Sequence, residues 1–203
     1  MKCKPVKIAL LLSLTLLLNG CGPVNSLFSL YQADDTAFEE GLLGTWQPVI
    51  TEFNEDDKDT RWTFEHLSDD KFYAFTWGSV KGKGGFAAKT RLVKLSDNLF
   101  IDFEGDTSRA ENLQGKELVV PFPVTSTHMI GRIWLEKDSL KVRLLGQDWV
   151  DKQIKAGTFS LSRENVDGSA ILTAKAADLR KFMQEHADDD VALSEEFKLV
   201  RSK

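Results

Sequence analysis

The side chains that could do chemistry in this chain are few and scattered. Its three histidines, His66, His128 and His186, are far apart and form no His-x-x-x-His pair. A zinc site would need long-range convergence with carboxylates, because Cys3 and Cys21 are the chain's only thiols and both lie at its N-terminus. Ser126 and His128 sit two residues apart. On a strand that spacing points both side chains the same way rather than at each other. No Gly-x-Ser-x-Gly elbow is present and no acid stands nearby to orient the imidazole, so a hydrolase has no support. His128 is expected at a sheet edge. The run Asn54-Glu55-Asp56-Asp57-Lys58-Asp59 attracts cations but lacks the glycine and terminal glutamate of a calcium loop. Lys81-Gly82-Lys83-Gly84-Gly85 has the composition of a phosphate cradle, yet Phe86 to Leu95 after it reads as extended rather than helical. The expectation is a protein without catalytic residues, metal or cofactor.

Cys21 is different, because of what precedes it. Lys2, Lys4 and Lys7 form a positive start, and Ile8 to Leu18 is an apolar run too short to span a bilayer as a helix. Leu18-Asn19-Gly20-Cys21 then resembles a bacterial lipobox. That resemblance implies acylation of the Cys21 thiol, cleavage before Cys21 and acylation of the new amino group. Multiple acyl chains hold a protein to a membrane essentially permanently, at about 0.8 kcal/mol per buried methylene. Gly22, rather than an aspartate, follows the cysteine, which resembles an outer-membrane address facing the periplasm. Residues 1–20 are thus expected to be a signal peptide and 21–35 a lipidated tether. Fully extended, that tether reaches no more than about 50 Å. Leu27, Phe28, Leu30 and Tyr31 are apolar for a free linker and are expected to dock on the domain, the alternative being that they dip into the membrane interface.

Removing residues 1–20 takes away three lysines and no acids, so the remainder is more acidic than the net charge of −5 of the whole chain. That charge argues against nucleic acid and against an electrostatic grip on anionic lipid. The remainder holds no second thiol for a disulfide with Cys21, so stability must come from a hydrophobic core, for which 36–203 is long enough as one domain.

After Gly44 the pattern has period two. Trp62, Phe64 and His66 share one face, and so do Tyr73, Phe75 and Trp77 on the returning strand. Leu99, Ile101 and Phe103 alternate with Phe100, Asp102 and Glu104. Met129, Ile133 and Leu135 lead into a turn at Glu136 to Ser139, and Leu140, Val142 and Leu144 lead out. Phe159 and Leu161 suggest a short strand, and Asp167-Gly168 a hairpin turn. Eight or nine strands at meander spacing, with one amphipathic helix (Ala176 to His186, capped by Thr173) and a last strand at Phe197 to Arg201, predict a mainly β chain. It is expected to form an antiparallel β-barrel or strongly curved meander.

Leu43-Gly44-Thr45-Trp46 resembles the Gly-x-Trp motif that opens the first strand of lipocalins and related calycin barrels. The late order of hairpin, Asp148-Trp149, helix and short strand is similar to that of bacterial lipoproteins with lipocalin-like barrels. The resemblance implies that Trp46 sits at the closed end with Arg201 packed across it, marking where first and last strands meet. It also implies that Trp62, Phe64, Tyr73, Phe75, Trp77 and Phe103, in an aromatic set that includes Phe86, Phe100 and Trp134, either line a cavity or fill the barrel. Two functions stay open: binding a small apolar or amphipathic ligand in the barrel, or serving as an interaction module for another envelope protein.

Overall fold

The computed structural model describes residues 22–50, 58–67, 71–80, 85–106 and 126–202. Cys21, the leader before it, most of the acidic run and Lys81 to Gly84 lie outside the described residues. In chain order the strands are β1 (Asn25–Ser26), β2 (Thr36–Ala37), β3 (Gly44–Pro48), β4 (Thr60–His66), β5 (Phe72–Ser79), β6 (Gly85–Leu95), β7 (Asn98–Gly105), β8 (His128–Leu135) and β9 (Ser139–Leu144). Helix α1 (Gln147–Ala156), hairpin β10 (Arg163–Val166) and β11 (Ser169–Leu172), helix α2 (Ala176–Glu185) and β12 (Glu195–Arg201) follow.

Eight of these strands close into an antiparallel barrel. Strands β3 to β9 pair in sequence order except at one seam, where β12 inserts between β3 and β9. Leu199 of β12 lies opposite Pro48 of β3 on one side and Leu140 of β9 on the other. Every second side chain points inward, which is why the period-two stretches form these strands. Trp46, Trp62, Phe64, Tyr73, Phe75, Leu92, Ile101, Phe103, Ile133, Leu140 and Val142 make the inner core.

A second core lies outside the barrel wall. Val93, Phe100 and Ile130 face outward from β6, β7 and β8 and are covered by α1, α2 and the N-terminal segment through Val24, Leu30, Val150, Leu179, Phe182 and Met183. Phe100 therefore belongs to this outer layer and not to the barrel interior. Trp134 lies outside the inner core too, with Lys141 Nζ 3.8 Å and the Arg132 guanidinium 4.5 Å from its ring centroid.

Three expectations are corrected here. The chain has two helices rather than one among the described residues. Helix α1 buries only Val150 and Gln147 fully, a stripe too sparse to stand out, although Gly157 closes it in a left-handed conformation (φ 73°). Phe159 and Leu161 form no strand; Phe159 packs its ring edge on Trp149, 6.3 Å between centroids, and on Phe182 at 5.6 Å. The cap of α2 also differs, with Lys175 at the N-cap in place of Thr173. The turn between β10 and β11 is at Asp167 and Gly168, both with positive φ.

The stretch read as a tether is packed on the domain. Asn25–Ser26 pairs antiparallel with β8 and parallel with β11, and Pro23 bridges to Gly146. Val24 and Leu30 are buried, while Leu27 and Phe28 remain exposed.

Gly131 marks the tightest approach in the wall. A Cβ there would stand 2.1 Å from the Arg143 carbonyl oxygen of the neighbouring strand. Because backbone must move to admit it, Gly131→Ala is expected to lower stability by several kcal/mol, on the order of the largest single-site losses. Urea denaturation of the variant checks this; an unchanged midpoint would mean that β8 and β9 are not this close.

Candidate functional site

The two ends of the barrel differ. At one end the chain before β3 crosses the opening, and the turn Glu40–Leu42 drops Leu42 into it, fully buried. The Trp46 indole N–H donates to the Leu42 carbonyl at 2.9 Å. The Arg201 guanidinium carbon stands 4.4 Å from the centre of the Trp46 ring. Its Nη1 donates to the Leu43 carbonyl at 2.9 Å, its Nε to Lys137 at 3.2 Å, and its Nη2 to the Gly41 carbonyl. Gly44 has φ 109°, and a Cβ on it would meet Arg201 Nη1 at 3.2 Å. The glycine of Gly44-x-Trp46 is thus needed both for its backbone angle and for the arginine above it.

Tyr73 and Phe64 fill the next layer. The Tyr73 hydroxyl accepts from the Glu39 amide at 2.6 Å, and its ring stacks on Phe38 at 5.0 Å. Burial, set against that hydrogen bond, pushes the Tyr73 hydroxyl up to about 12. This end is solid.

Among the described residues the other end is hollow. A cavity of about 700 Å³ opens there, floored by Trp62, Phe75 and Phe103 and walled by Phe86, Met129 and Phe197. The floor is an aromatic lattice: Phe75 to Phe103 is 4.8 Å, Trp62 to Phe75 5.2 Å and Trp62 to Phe197 4.9 Å between centroids. Trp77 stands at the mouth, 36% exposed. Of the six aromatic residues singled out from the sequence, Trp62, Phe75, Trp77 and Phe103 line this space, while Phe64 and Tyr73 belong to the packed end. Phe197, Met129, Pro23 and Asn25 also line it. Phe197 and Met129 sit on alternating strands and were legible in principle; Pro23 and Asn25 carry no such signal, since only tertiary pairing brings them to the wall.

Asn25 and Thr60 border the space, as do Glu196 and Lys198, whose side chains turn outward on either side of the inward Phe197. Lys198 Nζ is 2.8 Å from Glu196, and Arg143 also pairs with this carboxylate. The Lys198 hydrogen bond, aided by Arg143 and opposed by burial, holds the Glu196 carboxyl below the ordinary glutamate range. The volume and the apolar lining with a few convergent polar groups suit a small amphipathic molecule.

His128 is not at a sheet edge, and an acid does orient it. It lies on the outer face of β8, buried, with Nδ1 2.7 Å from an oxygen of Asp102 on β7. The other Asp102 oxygen accepts the Leu30 amide at 2.7 Å, so the pair fastens the N-terminal segment to the barrel. Sequence spacing missed this because the two residues meet across neighbouring strands. Ser126, at the strand's entrance, is exposed. No cluster of three or more potential metal ligands occurs among the described residues.

The chain was compared with protein-family models, with curated proteins and with solved structures. It matches none of them. The barrel itself, closed and eight-stranded, is compatible with a lipocalin-like fold.

Burial works against a charged His128, but the hydrogen bond to Asp102 and the charges of Asp102 and Glu104 outweigh it and raise its pKa above 6.5. A raised folded pKa means stabilisation that is fully present below pH 6.5 and is lost as pH climbs through the folded value. The stability difference between the parent protein and His128→Gln should therefore be largest below about pH 6 and shrink at alkaline pH. Denaturation midpoints across pH 5 to 9 check this, and a difference that grows with pH would contradict it.

Proposed function

We propose that this protein is a lipid-anchored, non-enzymatic binding protein of the bacterial cell envelope that holds one small apolar or amphipathic molecule in the open half of its barrel. The observation that carries the reading is the cavity of about 700 Å³ above the Trp62–Phe75–Phe103 floor. A packed core needs no such space, since interiors close-pack and leave few voids larger than a water molecule. An apolar tail would rest on the aromatic floor, and a polar head would remain at the mouth beside Asn25 and Thr60. The lipobox-like Leu18 to Cys21 and the charged, apolar leader support the anchor and the envelope address.

Native mass spectrometry of residues 22–203, exported to a bacterial periplasm and purified without detergent, tests the binding. The expected result is an added mass of a few hundred daltons, on the order of one lipid-like molecule, that is lost on denaturation. Met129→Trp puts an indole into the cavity and should weaken binding of a fluorescent fatty acid by at least about tenfold, or 1.4 kcal/mol. Lys137→Ala at the solid end should leave it unchanged. No added mass, together with no saturable fatty-acid binding, would defeat the reading.

A further inference from the structure

Six of the eight large apolar side chains exposed among the described residues lie at one end of the barrel, Val166 on β10 and Val191 before β12 being the other two. Val49 and Ile50 follow β3, and Trp77 and Val80 end β5, all at the open end of the barrel. Leu27 and Phe28 leave β1 at the same end, beside the start of β8. Val49 and Trp77 line the mouth itself, and Val80 donates its amide to Asp59, next to the mouth residue Thr60. The solid end shows the opposite character, with exposed Glu136, Lys137 and Asp138 in one turn and Ser96 and Asp97 in another. Apolar residues gathered at one end of a domain mark a contact surface, whereas scattered ones need no explanation.

The chain's own N-terminus enters at this end. The Gly22 carbonyl accepts the Gln147 amide at 2.9 Å, the Val24 amide donates to Leu145 at 2.8 Å, and Pro23 and Asn25 form part of the cavity wall. Cys21 lies outside the described residues; in sequence it is two residues before Pro23. An acyl anchor on Cys21 would be separated from the wall residue Pro23 by Gly22 alone in the sequence.

We infer that the open end of the barrel is a bilayer-docking face. The rim of Val49, Ile50, Trp77 and Val80 sits in the lipid interface, and the cavity opens toward the membrane rather than toward water. The occupant of this face is lipid because the anchor and the apolar rim share one end. An indole and branched aliphatic side chains at headgroup depth are the chemistry of an interfacial contact. This inference rests on the anchored-barrel reading above.

The test uses the full chain, processed in bacteria and reconstituted in phosphatidylethanolamine–phosphatidylglycerol vesicles. With Cys3 cleaved away and Cys21 acylated, a nitroxide can be placed at Val80→Cys or, as a control, at Lys137→Cys without another free thiol. The expected result is that the Val80→Cys label collides several-fold more with oxygen than with an aqueous nickel chelate, while the Lys137→Cys label does the reverse. A Val80→Cys label as open to nickel as the control overturns the docking face. A label shielded from both reagents also overturns it, because that signature belongs to protein contact with a partner or a second copy. Intact mass separates the underlying readings. A protein without acyl chains on Cys21 refutes the anchor, whereas an acylated protein with a water-exposed rim refutes only the docking face and leaves cavity binding to its own titration.

Discussion

The barrel exists because the last strand of the chain enters between the third and the ninth. Antiparallel strands joined by short turns form an open, twisted sheet readily, but an open sheet has two edges with unpaired amides and carbonyls. Here β12 satisfies both edges at once, along β3 and along β9. Arg201, at its end, donates to the Gly41 and Leu43 carbonyls before β3 and to the Lys137 carbonyl of the β8–β9 turn, and covers the face of Trp46. Contacts of such sequence separation form late and cost loop entropy, so the closure depends on what happens at this seam.

Closing a barrel of eight strands sets its width, and the width sets what remains to be filled. At the Trp46 end the filling comes from the chain itself, through Leu42, Phe38 and the hydroxyl-anchored Tyr73. At the other end no segment among the described residues plays this part, and the side chains turn edges and faces toward one another around a space. Among the described residues a single barrel thus carries a packed base and a hollow top.

The outer layer serves a different end. Helices α1 and α2 and the segment from Gly22 to Asp35 cover the apolar outside of β6 to β8, and polar groups pin them there. Asp102 holds Leu30 and His128, Arg180 pairs with Asp35, and Arg132 pairs with Asp188 and donates to the Ala187 carbonyl. The N-terminus is thereby fixed to the barrel wall, so any anchor on Cys21 acts on the orientation of the whole domain and not only on its whereabouts.

The period-two runs at Trp62 to His66, Tyr73 to Trp77 and Leu99 to Phe103 determined by themselves that the chain is mainly β, because alternation is a local property of a strand. The pairing of Trp46 with Arg201 was legible only through the resemblance to calycin barrels, because the cation and the indole stand at opposite ends of the sequence. Helix α1 was not legible, since ten residues with so narrow a buried stripe look like loop until the outer wall of the barrel is there to receive them. The partnership of Asp102 with His128 could not be read either, because neighbouring strands set it through their register. Above all, only the tertiary structure decided that Phe64 and Tyr73 are packed while Trp62, Phe75, Trp77 and Phe103 border a cavity. All six share the same inward alternation; what separates them is height along the barrel axis, and among the described residues the chain plugs one end and not the other.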